Sequence, residues 1–144
     1  MRLNHYNAYM RVAVDECEGE HISGNVYSMR LMEAMPFDDI SDLLLKVEAV
    51  LDSQDFPRAF QRKRSFVESA GNPYPDPRYN EEDWEGYMDE ETVNSAEGRY
   101  STFVIQVITR QNASWQGYVD WLDNLPRQPY NSVLELLAMI TERM

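Results

Sequence analysis

The sequence predicts an α+β domain in which a ββα unit occurs twice, giving one antiparallel sheet with two helices on one face about a pseudo-twofold axis. Three observations carry this. Shifting Tyr100–Met144 back by 93 positions lays it without a gap on Asn7–Leu51. In each copy apolar residues alternate, Met10, Val12 and Val14 in the first and Phe103, Ile105 and Val107 in the second, which is the mark of a half-buried strand. Each copy also ends in a segment whose apolar residues recur at helical spacing.

The elements follow in chain order. After the first strand of each copy comes a turn, "DECEGE" or "RQNA", in which Gly19 and Asn112 occupy the same place. Glycine and asparagine are the residues that tolerate left-handed backbone, so a hairpin is expected. In the strand that follows, Ile22, Gly24 and Val26 of the first copy correspond to Trp115, Gly117 and Val119 of the second, and Ser28 to Trp121. A loop then leads to the helices "DDISDLLLKVEAVLDSQ" and "NSVLELLAMITERM", with Asp38 or Asp39 and Asn131 or Ser132 as available N-caps. A single ββα unit is too small to bury its apolar face, so the two copies are expected to pack together.

The domain plan is thus one domain over residues 1–144, with repeats at 7–51 and 100–144 and a connection at 52–99. A chain of 144 residues with 43% hydrophobic content suits a single core. The connection begins with "FPRAFQRKRSF", expected to form a short helix after Pro57 and to bring Phe56, Phe60 and Phe66 onto apolar surface. Residues 68–97 then hold ten acids against one base, with Pro73, Pro75 and Pro77, and are expected to be irregular and to wrap the outside.

Charge and composition narrow the function. Thirteen Lys and Arg against 25 Asp and Glu give a formal charge of −12, a field that repels phosphate backbones, so direct nucleic-acid binding is not expected. The lone Cys17 excludes an internal disulfide and fits a reducing compartment. No signal-peptide core and no run of about 18 apolar residues is found, so a cytoplasmic location and no membrane partner are expected. Catalysis is not expected either. Cys17 is flanked by Asp15, Glu16 and Glu18, which disfavour a thiolate and point to a turn residue, and neither His21 nor His5 has a second cluster at metal-ligand spacing. No cofactor or metal is expected.

Two motifs suggest ligands. "NASWQG" is Asn-x-Ser-x-x-Gly and "RAFQR" is Arg-x-x-x-Arg, a pair that resembles the signature of PilZ domains. That resemblance implies cyclic dinucleotide binding through Arg58, Arg62, Asn112 and Ser114, since guanidinium groups clamp phosphates. Against it stand the 50 residues between Arg62 and Asn112, the net charge, and the repeat, which puts "GEHISG" where "NASWQG" stands. The acidic "EEDWE", Glu81, Glu82, Asp83, Trp84 and Glu85, resembles in composition the nucleic-acid mimics among small phage-encoded inhibitors such as anti-CRISPR proteins. This implies capture of a basic nuclease or regulator.

The apolar surface points elsewhere. If Phe103, Ile105 and Val107 face the helices, Val104 and Ile108 face away, and Tyr118 and Leu122 join them across the hairpin, where the first copy has Arg11, Asp15 and Asn25. An apolar outer face of this kind implies a cover, supplied by Phe56, Phe60 and Phe66 or by a protein partner or second copy. The leading expectation is a non-catalytic protein-binding or regulatory module. The second half, with Thr102-Phe103, "RQNASWQG" at Arg110–Gly117 and "YNSVLEL" at Tyr130–Leu136, also resembles small uncharacterised proteins of anaerobic Gram-positive bacteria. That resemblance covers about 45 residues and implies no known activity.

Overall fold

A computed structural model describes residues 3–19, 21–59, 74 and 86–144. Among these residues the fold is α+β, a six-stranded antiparallel sheet with three helices. The strands are β1 (Met10–Glu18), β2 (His21–Tyr27), β3 (Met35–Phe37), β4 (Ser101–Thr109), β5 (Gln116–Asp120) and β6 (Gln128–Tyr130). They lie in the order β3-β2-β1-β4-β5-β6, so β1 and β4 meet at the centre. The helices are α1 (Ile40–Gln54), α2 (Glu90–Ser95) and α3 (Val133–Arg143). Among the described residues no helix is long and apolar enough to cross a membrane.

One face of the sheet carries the core. Val12, Val14, Phe103, Ile105, Trp115 and Val119 pack there with Leu43, Val47 and Val50 of α1 and Leu136 and Ile140 of α3, all buried. Burying each large apolar side chain contributes about 1.5–3 kcal/mol, so this layer dominates stability. The helices start where their sequence supplies caps. Asp39 accepts from the backbone N–H of Asp42 and Ser132 from that of Glu135.

Both hairpins turn through left-handed residues, Gly19 at φ 62° and Asn112 at φ 56°. The β1–β2 register shifts between Val14 and Glu16, and the β4–β5 register between Val107 and Thr109. Gly24 pairs with Phe37, and Gly117 pairs with Tyr130. A side chain at either glycine would start 1.9 Å from a carbonyl oxygen of the neighbouring strand, that of Ala13 or of Gln106. Close strand approach therefore demands glycine, and an adjacent aromatic covers the gap.

Three sequence expectations are corrected. The loop before each helix contains a short edge strand, β3 or β6, centred on Pro36 or Pro129. Proline removes a ladder donor and obscured these strands, but it is tolerated at a sheet edge. Cys17 lies in β1 opposite Ile22 rather than in the turn. The connection is not wholly irregular: Asp89 caps α2 by accepting from the backbone N–H of Thr92.

The α2 segment docks against the first half at Tyr9 and Arg11. Arg11 Nε donates to Ala96 O at 2.7 Å and Tyr9 Oη to Asn94 Oδ1 at 2.7 Å, while Val93 and the outer-face Ala13 are both buried. Phe56 does not cover the second half. It stacks beside His5, ring centroids 5.3 Å apart, and beneath the Arg30 guanidinium. Phe60 and Phe66 lie outside the described residues.

Candidate functional site

Alternation along β4 and β5 turns Val104, Gln106, Ile108, Tyr118 and Asp120 away from the helices, and each is half-buried. In register, Val104 stands opposite Asp120 and Gln106 opposite Tyr118. The Tyr118 ring is capped by Arg127, whose guanidinium sits 4.0 Å from the ring centroid and donates through Nη1 to Gln106 Oε1 at 2.7 Å. A cation over a tyrosine face is favourable by about 0.5–1 kcal/mol at an exposed site. It fixes the end of the β5–β6 connection against the sheet.

That connection holds the least expected geometry. Strand β5 stops at Asp120 because its carboxylate accepts from the Leu122 backbone N–H at 2.9 Å, and Asp123 repeats the device by accepting from that of Leu125 at 3.1 Å. Two such Asx turns bend the chain sharply. Leu122 is left with φ 57° and Asn124 with φ 64°. Leu122 is therefore not the outward strand residue the sequence suggested. It sits past the strand end, 43% exposed, in backbone that an aliphatic residue adopts at a cost of roughly 1–2 kcal/mol. Leu125, two thirds exposed at 66%, follows it.

The loop is held firmly enough to enforce this conformation. Trp121 is buried against Phe103, ring centroids 5.2 Å apart, and its Nε1 donates to Gln128 Oε1 at 3.0 Å. Arg143 of α3 stacks over Trp121 and pairs with Asp123 at 3.0 Å. The Leu125 N–H and Arg143 together hold the Asp123 carboxyl below the usual carboxylate range. Strained, exposed and over-determined residues of this kind concentrate at functional positions. The sequence reading missed Leu125 and Arg127, although the repeated Asp-x-Leu of "DWLDNL" is a legible Asx-turn signal.

The other candidates have the following places. Asn112 is exposed at the hairpin tip. The Ser114 hydroxyl accepts from the Val133 N–H at 2.9 Å, at the start of α3. Arg58 is exposed and lies 3.5 Å from Asp55, and its neighbour Ala59 bridges to Arg110. Arg62 lies outside the described residues, as do Glu81, Glu82, Asp83, Trp84 and Glu85. Among the described residues no group of three or more His, Cys, Asp or Glu side chains is placed to hold a metal ion.

No protein-family model, curated protein or solved structure matches the chain.

Proposed function

We propose that the chain is a non-catalytic protein-binding module that acts through the outer face of its second half. The binding surface comprises Val104, Ile108 and Tyr118 on the sheet and Leu122 and Leu125 on the β5–β6 connection. The observation that carries the reading is Leu122: an exposed leucine held in left-handed backbone by two Asx turns and an ion pair. Selection for stability alone favours glycine or asparagine there. A rigid apolar projection beside a tyrosine and an arginine has the composition of an interface centre.

Duplication sets the two halves side by side for comparison. In the β1–β4 ladder Met10 pairs with Ile105, Arg11 with Val104 and Val12 with Phe103. With an offset of 93, Arg11 and Val104 are each other's equivalents, and the flanking pairs exchange, which is the relation a pseudo-twofold axis between Arg11 and Val104 requires. The matching register shifts, glycine–aromatic pairs and edge prolines support the same reading. In the first half the polar outer face meets the α2 segment at Tyr9 and Arg11, whereas its counterpart carries Val104, Ile108 and Tyr118.

Proteins retained from the native cell by the immobilised chain are expected to be lost with Tyr118→Glu and with Leu125→Asp, while circular dichroism stays unchanged. Retention of the same proteins by both folded variants would contradict the reading.

A further inference from the structure

The two loops at the ends of the sheet differ in shape. Residues 28–34 join β2 to β3 and residues 121–127 join β5 to β6, so the offset of 93 superposes one on the other. The second loop projects Leu122 and Leu125. The first encloses a cleft of about 260 Å³ lined by Leu31, Met32, Met35, Pro36, Tyr74 and Tyr87. That volume falls below the range of about 300–1,000 Å³ usual for small-molecule sites. An aliphatic side chain or two suits it better, and methionine walls adapt readily to such a guest. Glu33 also lines the cleft, and Arg127 ends the projecting loop, both exposed. An acid at the socket and a base at the projection are complementary in charge.

Resting on the protein-binding reading above, we infer that the partner is a second copy of this chain, the Leu122–Leu125 projection of one copy entering the Leu31–Pro36 cleft of the next. Glu33 and Arg127 would then meet at the rim, where an exposed ion pair orients the contact more than it strengthens it. Strand addition is blocked as an alternative, since both sheet edges carry a proline, Pro36 or Pro129. The contact is heterologous, so copies join head to tail. Because each copy carries a formal charge of −12, added salt strengthens the association by screening repulsion.

Sedimentation velocity over a concentration series tests this. The wild-type chain is expected to grow beyond a dimer with concentration, and more so in salt. Leu125→Asp and Met32→Asp, both at exposed positions, are each expected to abolish chain growth. When mixed, the two variants are expected to form a one-to-one dimer and nothing larger, because one retains the cleft and the other the projection. Leu125→Ser and Met32→Ser serve the same purpose if an aspartate variant fails to fold. A monomeric wild type, growth in either single variant, or no dimer on mixing overturns the inference. If the wild type is monomeric while captured cellular proteins are still lost with Leu125→Asp, self-assembly is overturned and protein binding stands.

Discussion

A methyl group at Gly117 would sit 1.9 Å from the Gln106 carbonyl oxygen and 3.0 Å from the Tyr130 hydroxyl, which itself donates to that carbonyl at 2.7 Å. The carbonyl cannot retreat without disturbing the β4–β5 ladder, nor the hydroxyl without losing its bond to Gln106, so Gly117→Ala is expected to cost about 1–3 kcal/mol in chemical denaturation. Gly24→Ala is expected to behave alike against Ala13. Glu48 makes a different prediction. Its carboxylate accepts from the Trp115 indole N–H, and burial pushes its pKa up from the ordinary value of 4.5, with Asp52 adding to the rise and the Trp115 bond and Arg110 opposing it. The folded state therefore holds this proton more firmly than the unfolded chain. The contribution is fully present below pH 4.5 and is lost as pH rises through the folded pKa. Glu48→Gln keeps an acceptor for Trp115 without the buried charge, so thermal unfolding is expected to show a higher Tm than wild type at pH 7 and convergence at acid pH. A wild-type advantage at pH 7 would refute this assignment.

Two buried arginines secure the C-terminal end of α1. Arg30 Nε donates to Gln54 Oε1 at 2.7 Å and Nη2 to Phe56 O at 2.5 Å, while Arg110 donates to Pro57 O at 2.7 Å, Leu51 O at 3.3 Å and Asp52 Oδ1 at 2.5 Å. The planar guanidinium reaches several carbonyls that a point charge cannot, so Arg110→Lys is expected to lose about 1–3 kcal/mol in urea unfolding. Little of this was legible beforehand. Arg110 read as part of the "RQNA" turn, and nothing local in the sequence reports a partner 59 residues away. By contrast, the main strands and both long helices were legible because alternation, helical spacing and capping residues are local signals. Strands β3 and β6 were hidden by Pro36 and Pro129. Helix α2 was hidden because its acids and single buried Val93 resemble a solvated loop. Of the candidate site, Val104, Ile108 and Tyr118 followed from alternation, but the position of Leu122 depended on where Asp120 ended the strand.

Across the described residues, the two halves of the sheet match on the helix-bearing face and differ in residue type on the other. The α2 segment docks on the first half at Tyr9 and Arg11, and the second half offers Tyr118, Arg127 and the rigid loop beyond β5. Substituting Leu122 tests the loop as a binding surface most directly. Glycine relieves left-handed strain of roughly 1–2 kcal/mol but gives up about 0.5–1 kcal/mol to the freer unfolded chain and, on the order of 1–2 kcal/mol, the burial of the part of the Leu122 side chain that is not exposed, so Leu122→Gly is expected to stay folded and within about 2 kcal/mol of wild type. The decisive measurement compares the proteins, further copies of the chain included, that bind immobilised wild type and immobilised Leu122→Gly. Loss of binding by a variant that remains folded is the expected result, and undiminished binding would contradict the assignment of this loop as the interaction surface.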